Sequence, residues 1–323
     1  MLHFSPRRAK LIARYSHHPP ATAYHISNEQ YGVTLEGYNA QKASFTKTIH
    51  IKQIGHAVYK IAAYNDTYVF SLPALHIEGL VFGSPFVELN DKTYMISSTG
   101  FTAKIDYAGK GWVSGKKNSF TATLYPTGKE KNTLYTINGQ WTKSFEIREG
   151  GSKGSVIESY DTDSHPVTPL TVAPIEQQDP LESRRAWSKV AAGVSAGNMD
   201  IVGSEKSRIE NEQRALRAKE KAEGTTWERR YFTSSSSDDI LNTLGPHIGL
   251  LPEAEKTGGI WRFDHQKAAQ WQNRGAVRQA PMNSNDTMPT STAMPRGFAP
   301  AAPTTTAASA PVGEISLSEF QKS

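Results

Sequence analysis

Three observations predict a mainly β fold followed by C-terminal helices for this chain of 323 residues. From Ala21 to about Gly150, short runs rich in Thr, Tyr, Val, Ile and Phe alternate with turn signals at the intervals of an antiparallel sheet. Within Ser44 to Gln53, Phe45, Ile49 and Ile51 share one parity while Thr46, Thr48, His50 and Lys52 share the other, so one face is apolar and one polar. Beyond Gly150 the pattern changes to helical spacing, as in Trp187 and Val190 at i, i+3.

The elements follow in order. Residues 1–15 form an atypical N-terminal segment, and residues 16–150 a β-meander reversed by turns at Asn65-Asp66, Asn90-Asp91 and Gly109-Lys110-Gly111. Residues 151–180, rich in Ser, Asp and Pro, read as an irregular connection. Within residues 181–272 the sequence predicts a helix over Glu182 to Val194 and a longer, heavily charged one from Glu205 to Glu223, ended by Gly224. A third, short helix is expected over Ile240 to Leu244, capped by Ser237, Asp238 or a neighbour. Residues 273–323 are Pro/Ala/Thr/Ser-rich and too poor in large apolar groups to offset their ordering entropy, so disorder is expected there. No internal repeat of useful length is visible.

Composition narrows the function classes. Hydrophobic residues make up 37% and mean hydropathy is −0.52. No run of about 18 apolar residues occurs, so any membrane contact is expected to be peripheral. The absence of cysteine removes disulfides, thiolate zinc sites and cysteine nucleophiles, and the cytosol is the default compartment. A net charge of +5 from 36 basic and 31 acidic residues is a small excess for a nucleic-acid binder and suits an anionic membrane surface. The first 28 residues lack Asp and Glu and carry Arg7, Arg8, Lys10 and Arg14, a superficial likeness to a transit peptide that the early Pro19-Pro20 break argues against.

Two constellations carry candidate chemistry. In Ser16-His17-His18-Pro19-Pro20, adjacent imidazoles can aim N–H donors at one anion while the prolines fix φ and exclude helix. Adjacent loop histidines are as often merely solvated. In the charged helix, Lys206, Glu210 and Arg214 at i, i+4, i+8 form one stripe, in which a carboxylate between two cations orients them toward a phosphate. From spacing alone, an ordinary solvated helix laced by i, i+4 pairs is the simpler reading. His25, His50, His56 and His76 lie on strands without an HExxH or similar arrangement, so no metal site is expected, and without GxSxG no catalytic nucleophile or enzyme activity is expected either.

The pentapeptide is also the signature of the oxysterol-binding protein family, and the chain resembles the family's short fungal sterol-transfer members far beyond it. The resemblance runs through Glu36-Gly37-Tyr38-Asn39, Lys42-Ala-Ser-Phe-Thr46, Lys52-Gln53-Ile-Gly-His56, Leu75-His76-Ile-Glu-Gly79, Ser84-Pro-Phe-Val-Glu88, Ser97-Ser-Thr-Gly100, Ser114-Gly-Lys-Lys-Asn-Ser-Phe120 and Gly139-Gln-Trp141. It continues with Pro180-Leu-Glu-Ser-Arg184, Ala186-Trp187, the Lys206/Glu210/Arg214 stripe, Gly224, Trp227-Glu-Arg-Arg230 and Phe232, with Ile260-Trp261-Arg262-Phe263 as a last echo.

The resemblance implies an incomplete antiparallel β-barrel around a lipid tunnel, with flanking C-terminal helices. It also implies carriage of sterol between membranes in exchange for phosphatidylinositol 4-phosphate, with no cofactor. Burying a sterol removes several hundred Å² of apolar surface at about 25 cal/mol per Å². By motif, His17, His18, Lys206, Glu210 and Arg214 would hold the phosphoinositide head group, and Asn39 and Gln53 would contact the sterol hydroxyl through water. Ahead of the signature, the family normally has a lid, central helices and the first barrel strands. Here Met1 to about Arg14 looks foreign to it, which predicts a domain lacking the lid and first strands, with an unpaired edge and poor sterol transfer. A truncated phosphoinositide-binding or scaffold fragment without a closed tunnel is the alternative.

Overall fold

A computed structural model describes residues 2–4, 9–16, 21–45, 48–80, 83–109, 116–165, 167 and 170–278. Its main feature is a 14-stranded antiparallel sheet. In chain order the strands are β1 (Leu2–Phe4), β2 (Ala9–Ser16), β3 (Ala21–Asn28), β4 (Val33–Phe45), β5 (Ile49–Ile61), β6 (Asp66–Ser71), β7 (Ala74–Glu78), β8 (Phe86–Ser97), β9 (Phe101–Ala108), β10 (Ser119–Pro126), β11 (Tyr135–Gln140), β12 (Ser144–Glu149), β13 (Val156–Asp161) and β14 (Leu170–Val172). Their order is that of a meander from β13 back to β1, with β14 added beside β1 and β7 bridging β5 and β8.

Several expectations change here. The segment expected to be foreign supplies β2, which pairs with β3 along its whole length, Ala9 with Asn28 through Ser16 with Ala21. Ile12 of β2 is buried in the main core, which is what draws the segment into the sheet. The connection at 151–180 also contains strands: β13 extends the sheet at one edge and β14 pairs with β1 at the other. Asn90-Asp91 is not a reversal. Asp91 takes a left-handed φ of 64° within β8, where that strand passes from pairing with β7 to pairing with β6. Continuous pairing with β9 from Asp91 to Ile96 holds the strand through the kink. The turn at Asn65-Asp66 does form, with Asn65 at φ 49° after a single 3₁₀ turn.

The helices are α1 (Ser183–Ala186), α2 (Ser188–Ser195), α3 (Met199–Glu223), α4 (Asp239–Leu244), α5 (Ala254–Thr257) and α6 (His265–Arg278). The helix expected over 182–194 is broken at Trp187, whose ψ of 12° departs from α geometry. The long helix starts earlier than charge alone suggests because Asn198 caps it, its side chain accepting from the Ile201 N–H at 3.1 Å. Gly224, at φ 63°, ends it as the sequence predicts. Asp238 is the cap of α4, accepting from the Leu241 N–H at 2.7 Å. The last helix carries regular structure to Arg278, past the expected boundary at residue 273.

A hairpin of β15 (Phe232–Ser235) and β16 (Ile260–Phe263) with α4 and α5 covers one face of the sheet. Here Ile12, Ala23, Tyr38, Val58, Val69 and Ile96 meet Phe232, Leu241, Ile260 and Trp261, all buried. Strand alternation puts Tyr38 and Ala40 on this covered face and Gly37, Asn39 and Gln41 on the other. A Cβ on Gly37 would lie 2.5 Å from the Tyr24 hydroxyl, so glycine lets the Tyr24 ring lie across β4 on that second face.

Candidate functional site

The second face carries a polar relay. Asn39 pairs in register with Gly55, and Gln41 with Gln53, so Asn39 and Gln53 are diagonal neighbours across β4 and β5. Asn39 Nδ2 donates to Gln53 Oε1 at 3.0 Å, and Gln53 Nε2 donates to the Pro73 carbonyl at 2.8 Å. The relay occupies a break in the sheet: the outer edge of β5 pairs with β7 over 49–51 and with β6 over 56–61, and residues 52–55 between them have no strand partner on that edge among the described residues. A backbone carbonyl only accepts, so Pro73 sets the Gln53 amide with its NH₂ outward and its oxygen toward Asn39. Among the described residues Asn39 Oδ1 makes no hydrogen bond, leaving an acceptor for a ligand hydroxyl or a water. The strands thus bring together the two residues assigned to sterol. Pro73, which completes the relay, carried no sequence signal, since it contributes through its position in the fold.

The Lys206, Glu210 and Arg214 stripe is formed. Glu210 lies between its cations on α3, 3.4 Å from Lys206 Nζ and 3.7 Å from Arg214 Nη2, and Arg214 Nη1 also donates to Asn211 Oδ1 at 2.8 Å. Lys206 and Arg214 are 57% and 64% exposed, so their charge is available to an anion. A second row, Glu205, Arg208 and Glu212, laces the same helix at 2.9 and 2.7 Å. His17 and His18 lie outside the described residues; the strand ends flanking them, Ser16 and Ala21, are paired in register.

A third group, not singled out from sequence, ties the covered face to its C-terminal layer. Arg262 Nε donates to Asp238 Oδ2 at 2.5 Å and Nη2 to His56 Nε2 at 2.9 Å, while Glu36 Oε2 accepts from the Phe263 N–H at 3.3 Å. Burial first, and then the Arg262 charge, lowers the His56 pKa to about 4. Burial pushes His25 to about 4 as well, with His265 nearby adding to the effect; its ring stacks on Phe263 at 4.2 Å. Burial alone would raise the Asp238 carboxyl, but hydrogen bonds from Arg262 and the Leu241 N–H hold it below its usual range. The Ile260-Trp261-Arg262-Phe263 run was legible as a motif; of its polar partners, Asp238 is 24 positions away in sequence and His56 and Glu36 are more than two hundred.

Among the described residues no helix is long and apolar enough to cross a membrane, and no three His, Asp or Glu side chains converge as a metal site.

The architecture is that of the β-barrel domains called ORD. The ORD domain of Osh1, solved with cholesterol, superposes with a TM-score of 0.64 at 15% identity over 85% of this chain and 68% of that one. The Osh3 ORD of Saccharomyces cerevisiae, solved with PI(4)P, gives 0.57 at 18% identity over 83% of this chain and 68% of that one. In sequence, a family model described as oxysterol-binding protein matches residues 7–195, and the chain belongs to that family. The protein kes1 of Schizosaccharomyces pombe is 40% identical over 227 residues, 69% of this chain and 58% of that protein. The chain spans 38% to 63% of the length of the first curated relatives it matches.

Proposed function

We propose that this chain serves a lipid-transfer role, carrying sterol between membranes in exchange for phosphatidylinositol 4-phosphate. It is read as acting without catalysis and without a cofactor, at anionic membrane surfaces reached from the cytoplasm. The observation that carries the reading is the Asn39, Gln53 and Pro73 relay, a fixed polar anchor on the sheet face opposite the C-terminal layer. Membership in the family, and a fold shared with domains solved with cholesterol and with PI(4)P, support the two ligands. Lys206, Glu210 and Arg214, together with His17 and His18, are the residues proposed for the phosphoinositide head group.

The test is extraction of labelled sterol from liposomes by the whole chain, with and without phosphatidylinositol 4-phosphate as competitor. Extraction that is lost in Asn39→Ala and displaced by the phosphoinositide supports exchange; extraction indifferent to both overturns it.

A second reading, binding of phosphoinositide without sterol carriage, is favoured by the exposure of the α3 stripe and by the two sheet edges, β13 and β14, that do not pair with each other among the described residues. Liposome binding that depends on the phosphoinositide, without sterol extraction, would support it.

A further inference from the structure

His50 and His76 form an ordered pair to which neither proposed ligand gives a task. They stand opposite each other in the β5/β7 register, and His76 in turn stands opposite Glu88 of β8. His50 Nδ1 and His76 Nε2 are 2.8 Å apart, with ring planes inclined at 75°. The outward nitrogens are also engaged: Thr48 Oγ1 is 3.0 Å from His50 Nε2, and Glu78 Oε1 is 3.8 Å from His76 Nδ1. Asn90 Nδ2 is 3.3 Å from His76 Nε2, and one assignment is consistent with these four contacts: His76 carries its proton on Nδ1 toward Glu78, and its Nε2 lone pair receives Asn90 and His50. A cavity of about 170 Å³ opens beside His76, lined also by Glu78, Phe86 and Asn90.

We infer that His50 Nδ1 and His76 Nε2 chelate a divalent transition cation of the zinc, copper or nickel class. Imidazole suits these ions, and metal-bound histidines characteristically give their other nitrogen to a carboxylate or another polar group, the roles Glu78 and Thr48 fill here. Zinc–nitrogen bonds of about 2.0–2.1 Å at a tetrahedral angle put the two nitrogens about 3.4 Å apart. The observed 2.8 Å therefore needs an opening of about 0.6 Å, small for side chains on adjacent strands. His50 stays neutral: its proton shifts from Nδ1 to Nε2 and the Thr48 hydroxyl reverses to accept it. Rotation of the Asn90 amide presents its oxygen as a third donor, and water in the cavity completes the shell. With only two protein nitrogens the site binds modestly and reversibly. It would pin β7, joined to β5 by three residue pairs, to the long strand that carries Gln53.

The inference does not depend on lipid transfer and is tested on the whole chain without lipid. Zn²⁺ competition against a chromogenic chelator should show a site weakened at least ~10-fold by His50→Gln or His76→Gln, and ~10-fold by Glu78→Gln. It should be unchanged in a His17→Ala, His18→Ala double variant. Cu²⁺ titration followed by NMR, which needs no substitution, should broaden the His50 and His76 ring signals first. Unchanged zinc affinity in the His50→Gln, His76→Gln double variant, or broadening that begins at other histidines, overturns it.

Discussion

The covered face of the sheet and the long helix α3 both pair arginine with carboxylate, and they differ in what water does to the arrangement. On the covered face the Arg262 side chain is 18% exposed and Asp238 is 8% exposed, so their attraction is little screened, and removing one partner strands the other. On α3, Lys206 and Arg214 flank Glu210 at the surface, where solvent and salt reduce each pair to a few tenths of a kcal/mol. Similar residue types therefore hold the fold together in one place and remain free to meet an anion in the other.

The largest expected effect that would break this contrast is on stability. Arg262→Ala should cost about 3–5 kcal/mol in denaturant unfolding, the range for stripping a buried charge of its partner. Glu210→Gln should stay within about 0.5 kcal/mol, as surface substitutions do. Equal losses in the two variants would remove the distinction.

Next in size is pH dependence. His25 and His56 have folded pKa values near 4, below the unfolded value of 6.5, so the unfolded chain takes up protons first as pH falls. Their contribution is fully present above about pH 6.5, is lost progressively toward pH 4, and is flat below. For the buried His56 this amounts to roughly 2–3 kcal/mol. Thermal melts across that window should show the decline, and His56→Gln, which can still accept from Arg262, should flatten it.

The smaller effects concern the proposed ligands. Gln53→Ala should cost about 1 kcal/mol of stability for the lost hydrogen bonds, and should weaken sterol binding because Asn39 is no longer oriented. Lys206→Ala with Arg214→Ala should leave the melting temperature unchanged while weakening association with phosphoinositide liposomes, and the remaining binding should fall less steeply as salt is raised.

What the sequence disclosed follows the same division. The Asn65 turn, the Gly224 stop and the Asp238 cap were readable because each is set by residues adjacent in the chain, whereas the alternation expected across 44–53 runs over the reversal between β4 and β5, where Phe45 pairs with Ile49 and is exposed. The place of β2 in the sheet was not, because the burial of Ile12 depends on strands and a hairpin that come later. Lys206, Glu210 and Arg214 announce themselves by helical spacing. Asn39 and Gln53 were named only through family motifs, and their bond depends on a diagonal across two strands together with a carbonyl at Pro73. Arg262 with His56, and His50 with His76, are long-range pairs that no local period encodes.

The central claim is that sterol and phosphoinositide are held by separate groups, the Asn39 relay and the α3 stripe. The most direct measurement is a paired assay of Asn39→Ala and Lys206→Ala/Arg214→Ala, scoring labelled sterol extraction and phosphoinositide liposome binding on the same folded samples. The account predicts that Asn39→Ala loses extraction and keeps liposome binding, while the α3 variant loses liposome binding and keeps extraction from liposomes free of phosphoinositide. Loss of both activities in either variant with its fold intact, or of neither in both, would contradict it.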